Sequence, residues 1–420
     1  MKKTLCMILS VLLLCAMPLG LVGCGGRMPG NNAHDLMENV SAGTPAGVSD
    51  LTMGSAKLTD FGLRLFQTAK QDGENTLVSP LSVLCALAMT ANGAKGETRE
   101  QMEKVLGMKV EELNEYLCTY LQGLPADESS RLDLANSIWF TDDESFTVNG
   151  DFLQTNADYY GADLYKTPFD DAACQAINDW VKERTNGMIP RILDQIPSEA
   201  VMYLVNALAF EAEWAVPYNE RQVDENVFTR EDGTQVTVDY LYGDVGQYLQ
   251  DENATGFIKL YKGGNYAFAA LLPDEGVSVD DYVAFLTGDR LHQLLTHPVS
   301  ATVRTAIPKF ESDYSAELSE TLSALGMPLA FDGANADFTA LGTADRNIYI
   351  SRVLHKTYIS VTEKGTRAGA ATVVEMAKNT SFRPPEEVKT VYLDRPFVYL
   401  LIDCRTNTPF FMGTMMDPGK

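Results

Sequence analysis

The sequence predicts an α+β domain built around large sheets, over about residues 56–420. Helix-type periodicity dominates the first part of this range, and strand-type segments take over in the second part. Several of the strand-type segments are almost continuously apolar, which is typical of strands that are buried on both faces. No linker-type stretch and no internal repeat interrupts the range, so one large domain is expected.

The helix signals are apolar periodicity and capping residues. In segment 60–70 one face is apolar, formed by Phe61, Leu65, Phe66 and Ala69. Ser79 followed by Pro80 has the pattern of an N-cap and a first helical residue. Thr98 and Gln101 have the spacing of a capping box. These signals predict at least three helices before residue 110.

Eight segments have the composition of buried strands. They are 132–140, 202–210, 235–242, 266–273, 301–310, 356–363, 395–403 and 409–416.

The chain is strongly acidic, with a formal net charge of −24. Loss of residues 1–23, which contain two lysines and no acidic residue, would leave −26. Binding to phosphate backbones needs a surplus of Lys and Arg, so nucleic acid is not an expected partner. The charge is typical of a soluble surface.

The N-terminus has the features of an export signal. Lys2 and Lys3 precede an apolar run that ends just before Gly23 and Cys24. This length and these flanks predict a cleaved signal peptide over residues 1–23 and not a membrane-spanning helix. The residues before Cys24 are similar to a bacterial lipobox, which implies a lipid on Cys24 that anchors the protein to the membrane at the cell surface, facing the extracellular space. Plain secretion, with Cys24 incidental, is the alternative.

Residues 24–55 are rich in Gly, Asn, Ser, Ala and Pro and have no periodic pattern. This composition predicts a flexible tether between the membrane and the domain.

Four cysteines remain after Cys24, and none of them forms a CxxC pair. They lie far apart among apolar neighbours, at positions Cys85, Cys118, Cys174 and Cys404. Buried free thiols are expected, in preference to disulfides or a metal site.

The sequence lacks the common catalytic motifs GxSxG, HExxH, GxGxxG and the P-loop. A triad assembled in space leaves no such motif, and His355, in an apolar strand, is the one candidate base. A core histidine with satisfied hydrogen bonds fits that position better. We therefore predict no enzyme activity, no cofactor and no metal site.

Six motifs, in order and at family spacing, resemble the serpin family over about residues 58–418. They occupy 78–101, 204–214, 307–327, 336–341, 394–403 and 409–418. The resemblance implies a serpin fold: three β-sheets, eight or nine helices, and an exposed reactive centre loop near the C-terminus. It also implies a monomer that inhibits proteases. The protease cleaves the loop and forms an acyl-enzyme, and the loop then inserts into the main sheet as a new strand.

The loop sequence fits the demands of such an insertion, because a strand alternates its faces. One set of alternate residues carries no charge and begins with small side chains: Thr366, Ala368, Ala370, Thr372, Val374 and Met376. The other set carries both charges, Arg367 and Glu375. Small leading residues avoid overpacking between strands that are already packed, and Gly365 supplies a pivot. We predict a hinge formed by Glu363, Gly365, Thr366, Ala368, Ala370 and Thr372.

Family spacing counted from Glu363 places the cleaved bond at Asn379–Thr380. The register is open within residues 378–381, so Lys378 and Ser381 are alternatives. The expected partners are extracellular serine proteases, with papain-like cysteine proteases as a further class. A non-inhibitory binding or carrier protein with the same fold is the alternative function.

The resemblance also assigns residues that open and close the main sheet. Ser79 and Ser82 match the serines beneath the sheet, and Asn206 and His355 match their polar partners. Trp214 matches the residue where insertion begins. A hydrogen-bonded cluster can exchange partners as strands separate, which an apolar layer cannot do.

Overall fold

The computed structural model describes residues 33–125, 129–197, 199–366 and 388–420. The predictions for Cys24 and for most of the loop lie outside these residues, at Ala368, Ala370, Thr372, Lys378, Asn379, Thr380 and Ser381. In the part of the chain that is described, no helix is both long and apolar enough to cross a membrane.

The described residues form nine α-helices. They are α1 (Thr52–Ala69), α2 (Pro80–Ala91), α3 (Gly96–Leu106), α4 (Val110–Gln122), α5 (Gly150–Tyr160), α6 (Asp171–Arg184), α7 (Val279–Phe285), α8 (Gly288–Thr296) and α9 (Ser319–Leu325).

The strands up to the middle of the chain are β1 (His34–Asp35), β2 (Thr76–Val78), β3 (Ser130–Thr141), β4 (Thr147–Val148), β5 (Asp163–Thr167), β6 (Met202–Glu213), β7 (Val223–Thr229), β8 (Gln235–Gln250) and β9 (Ala254–Leu260). The later strands are β10 (Tyr266–Pro273), β11 (Val299–Pro308), β12 (Phe310–Glu317), β13 (Gly342–Thr343), β14 (Arg352–Val361), β15 (Gly365–Thr366), β16 (Val388–Tyr392), β17 (Phe397–Asp403) and β18 (Thr408–Met415).

Three sheets organise these strands. The main sheet has seven strands in the order β1-β5-β3-β6-β15-β14-β12. The second has nine, with β16-β11-β8-β9-β10-β17-β18-β2 in line and β7 paired to β8, and β13 with β4 forms a two-stranded ribbon. The predicted α+β class, three sheets and eight or nine helices are confirmed.

The larger hydrophobic cluster contains residues of both the main sheet and the second sheet. One hydrophobic cluster extends along the chain from Leu58 to Met416. All residues of α2, β10, β17 and β18 are buried, which explains their nearly continuous apolar sequences. Helix α2 thus lies inside the molecule, with its N-terminus beneath the main sheet.

The four described cysteines are free thiols. Cys85, Cys118 and Cys174 are buried, and Cys404 is half-buried.

Residues 24–32 of the predicted tether lie outside the described residues, and from Ala33 onward the chain packs against the domain. Strand β1 pairs antiparallel with β5 and forms one edge of the main sheet. The backbone N–H of Leu36 donates to the carbonyl of Leu164 at 2.9 Å.

The contacts of this segment continue up to the first helix. The backbone N–H of Gly43 donates to the Asp158 carboxylate at 2.6 Å, and that of Val48 donates to the Thr119 hydroxyl at 2.9 Å. Helix α1 already begins at Thr52. The segment is ordered by tertiary hydrogen bonds, which a composition rich in Gly, Ala and Pro does not reveal.

The predicted capping box at Thr98 and Gln101 is wrong. Helix α3 begins at Gly96, so both residues lie inside it. The Thr98 hydroxyl accepts from the backbone N–H of Asp337 at 3.0 Å, and the Gln101 side chain accepts from that of Leu329 at 3.1 Å. Both side chains bind a distant segment. Ser79, in contrast, is the N-cap of α2, and its hydroxyl accepts from the backbone N–H of Ser82.

Candidate functional site

The candidate site is the line between β6 and β14 in the middle of the main sheet. The two strands run parallel and pair directly, from Tyr203 with Arg352 up to Ala209 with Tyr358. Beyond that point they separate, and the two residues of β15 lie between them, antiparallel to both. The sheet is closed along most of this line and already parted at one end.

The two residues of β15 are the first part of the predicted insertion segment. Thr366 lies opposite Ala212 and is completely buried, and its hydroxyl bonds the phenol of Tyr261. Gly365 has a φ of +156°, and a Cβ at this position would lie 2.0 Å from the Ala212 carbonyl oxygen. Only glycine permits this approach, because any side chain at this position would overlap the carbonyl.

A tight turn over residues 362–365 joins β14 to β15. The Thr362 backbone N–H and hydroxyl donate to the Gly365 carbonyl at 2.9 and 3.0 Å. The turn therefore closes a β-hairpin whose second strand is described over Gly365–Thr366.

Two aromatic residues after β6 hold this turn. The backbone N–H groups of Trp214 and Tyr218 donate to the carbonyls of Lys364 and Glu363, both at 2.9 Å. The Trp214 indole N–H donates to the Thr362 carbonyl at 2.8 Å. We call Trp214 and Tyr218 the aromatic clamp. The clamp joins the end of β6 to the end of β14.

Trp214 and Glu363 are each supported by a further residue. The Trp214 ring stacks on that of Tyr261, with centroids 4.5 Å apart. The Glu363 carboxylate lies 3.3 Å from the Lys309 ammonium. Tyr261 thus contacts both the clamp and Thr366.

A buried polar cluster lies lower down, where β6 and β14 still pair. Ser79, Ser82, Asn206 and His355 are completely buried. The Ser79 backbone N–H donates to His355 Nε2 at 3.1 Å, and His355 Nδ1 lies 2.6 Å from Asn206 Oδ1. The Ser82 hydroxyl donates to the same Asn206 oxygen at 3.2 Å. The N-cap Ser79 and the first turn of α2 therefore bind both strands that border the site.

The hydrogen bonds fix the protonation of His355. A backbone N–H can only donate, so Nε2 accepts and Nδ1 carries the proton that is donated to Asn206. Burial lowers the pKa of His355 to about 3, so the ring is neutral at physiological pH. Within the described residues the Asn206 amide nitrogen has no hydrogen-bond partner.

This cluster is not a nucleophile–base pair. Ser79 meets His355 through its backbone N–H and not through its hydroxyl. The other ring nitrogen meets an amide and not the carboxylate that orients a catalytic histidine. This arrangement does not activate the Ser79 hydroxyl as a nucleophile.

The chain belongs to the serpin (serine protease inhibitor) family, whose model matches residues 56–418. It is 28% identical to an uncharacterised serpin-like protein of Thermococcus kodakarensis, over 97% of this chain and 99% of that protein.

Solved structures of serpins resemble this chain over most of its length. The native state of tengpin, a thermophilic serpin, is 45% identical with a TM-score of 0.87, over 92% of this chain and all of that one. The latent state of tengpin gives a TM-score of 0.77 at 42% identity, over 89% of this chain and all of that one. Human thyroxine-binding globulin, in complex with thyroxine, gives 0.78 at 25% identity, over 88% of this chain and all of that one. The conformation is thus more similar to the native than to the latent form of tengpin.

The structure assembles the described site residues into two groups. Ser79, Ser82, Asn206 and His355 form the lower cluster, and Trp214 lies with Glu363, Gly365 and Thr366 at the parted end. Sequence reasoning missed three residues of the upper group, namely Tyr218, Tyr261 and Lys309. Their roles arise from contacts between distant strands, and no local pattern marks them.

We expect acid to destabilise the fold through His355. Its folded-state pKa lies below the unfolded value of about 6.5, so its contribution is intact above pH 6.5 and is lost as the pH falls toward 3. This loss is about 2 kcal/mol between pH 7 and pH 5. Urea unfolding midpoints at the two pH values, for the wild type and for His355→Asn, measure it.

The exposed His297 provides the control. Between pH 7 and pH 5, the His297→Asn variant should lose as much stability as the wild type. An equal loss in His355→Asn would show that His355 is not the origin.

Proposed function

We propose that this chain is an inhibitory serpin that traps serine proteases by inserting its cleaved loop between β6 and β14. The observation that carries the proposal is the position of β15 between β6 and β14. The first two residues of the loop already pair with both bordering strands, and Thr366 is completely buried. Further residues can add to this strand without any change in topology.

The proposed reaction starts as ordinary proteolysis. The protease serine attacks the carbonyl of the cleaved bond, an ester forms, and the new amino terminus departs. With the loop cut, the residues after Thr366 pair with β6 and β14, at about 1 kcal/mol for each net hydrogen bond. The protease, still bound by its ester, is displaced with the strand. We retain Asn379–Thr380 as the proposed bond, with Lys378 and Ser381 as the alternative positions.

Such a mechanism requires a native state that is kinetically trapped. A dozen new strand hydrogen bonds would contribute on the order of 10 kcal/mol, which is comparable to the stability of a whole domain. The intact loop prevents this pairing until a protease cuts it, so the barrier and not the equilibrium preserves the active form.

The alternative is a carrier with the same fold that is cleaved without trapping. Thyroxine-binding globulin, which resembles this chain, is a serpin-fold protein that binds a small molecule. A charged or bulky residue at the inward hinge position would favour this alternative, and Thr366 is neither.

We also propose that the protein is exported and held at the cell surface by a lipid on Cys24. Lys2, Lys3 and the apolar run before Gly23 support export, and the residues before Cys24 support lipidation.

In a bacterial host, Cys24→Ala should release the protein from the membrane fraction into the medium, because the anchoring acyl chains are lost. Fractionation with fatty-acid labelling measures this, and Cys404→Ala is the matched control. A Cys24→Ala protein that still carries the label would contradict the anchor.

An SDS-stable complex should form with at least one protease among trypsin-, elastase- and subtilisin-like enzymes. The ester is retained only if insertion outpaces its hydrolysis. Protein nicked in the loop should also melt at a clearly higher temperature than intact protein, because it has gained a strand. Cleavage with no complex and no rise in melting temperature would favour the carrier.

Thr366→Arg should convert the inhibitor into a substrate. Its side chain would place a charge in a fully buried position, so the moles of inhibitor consumed per mole of trapped protease should rise about tenfold or more. Thr366→Ser, which keeps the hydroxyl that bonds Tyr261, should inhibit like the wild type. Full trapping by Thr366→Arg would refute the inward assignment.

A further inference from the structure

A buried lysine contacts both members of the aromatic clamp. Lys259 lies on β9 of the second sheet and is only 6% exposed. Its ammonium nitrogen is 4.4 Å from the centroid of the Tyr218 ring and 5.1 Å from that of Trp214. It also donates to the carbonyl of Val216, between these two residues, at 3.2 Å.

Within the described residues Lys259 has no ion pair. Burial lowers its pKa to about 8, so it is charged at neutral pH. Two ring faces and one carbonyl are the groups that compensate the buried cation. An apolar side chain could fill this site without the cost of burying a charge. Lysine at this position therefore needs an explanation other than packing.

Lys259 is connected to the hinge through the aromatic clamp. The two rings belong to the residues whose backbone N–H groups hold Glu363 and Lys364. Lys259 approaches them from the second sheet, whereas β6 and β14 belong to the main sheet, where strands separate during insertion. It thus ties the clamp to the second sheet, which the proposed insertion does not enter.

We propose that Lys259 is a positioning residue that holds the aromatic clamp against the turn 362–365 and so keeps Gly365 and Thr366 between β6 and β14. A hinge held there starts insertion from a closed hairpin, whose first turn has already lost its conformational entropy. A hinge that leaves the sheet must form this turn anew, which gives the ester time to hydrolyse.

The effect on trapping depends on the proposed inhibitory function, but retention of the hinge does not. Lys259→Met keeps the length of the side chain and removes the cation and the hydrogen bond to Val216. Lys262→Met is the matched control, because Lys262 lies three residues further along the chain, is 60% exposed and pairs with Glu213.

The first measurement is the uptake of a synthetic peptide with the sequence of residues 366–377 by the intact full-length protein. This peptide competes with the hinge for the same position in the sheet. We expect Lys259→Met to take it up about three- to tenfold faster than the wild type, since the cation no longer holds the clamp. Lys262→Met should match the wild type. Equal uptake by Lys259→Met and the wild type overturns the proposal.

Unfolding in urea separates positioning from packing. Removal of a buried charge should leave the unfolding rate of Lys259→Met unchanged or lower. If unfolding accelerates as much as peptide uptake, Lys259 is an ordinary core residue and the proposal is overturned.

The second measurement is the number of inhibitor molecules consumed per trapped protease, which should rise about three- to tenfold in Lys259→Met. If the wild type takes up peptide but traps no protease, the proposed inhibitory function is wrong. The role of Lys259 is then still tested by comparing peptide uptake in Lys259→Met and the wild type. A wild type that takes up no peptide would overturn both.

Discussion

The parallel pairing of β6 and β14 is the constraint on which the rest of the structure depends. A strand that enters between two parallel neighbours in the opposite direction replaces one parallel ladder with two antiparallel ladders. Antiparallel pairing is slightly the more stable per residue, so the exchange gains in both number and kind of hydrogen bonds. The short β15 already makes this exchange at one end. The proposed insertion would replace the seven residue pairs that β6 and β14 still share in the same way.

The hinge is positioned by very few atoms. Gly365 approaches the Ala212 carbonyl more closely than any side chain allows, and this approach lets Thr366 reach Tyr261. The turn before it is held through backbone carbonyls by Trp214 and Tyr218. These bonds are made to backbone carbonyls, whereas the Thr362 hydroxyl and the absence of a side chain at Gly365 fix the conformation of the turn itself.

The sequence predicts those parts of the fold whose signals are local. Ser79 followed by Pro80 marks the start of α2, and each of the eight predicted strand segments is found in the structure. Strand β9 is not predicted, because Gly256 and Lys259 are residues that usually lie outside a buried strand. Gly256 is needed since a Cβ there would lie 2.2 Å from the Ala270 carbonyl oxygen, and Lys259 faces two rings. The residues that explain both positions lie elsewhere in the chain, so the local sequence does not show them. The alternation after Gly365 is visible in the sequence, whereas the residues that receive the hinge are not.

The polar cluster beneath the main sheet follows from the same constraint. Entry of one strand moves β6 and β14 apart by about 4.8 Å, the spacing of neighbouring strands. The bond between His355 and Asn206 crosses that line at 2.6 Å and cannot survive the movement. Ser79, the N-cap of α2, binds His355, and Ser82 of α2 binds Asn206, so both would retain a partner if the strands separated. An apolar layer would resist this separation with its whole contact area, whereas this cluster gives up a single hydrogen bond.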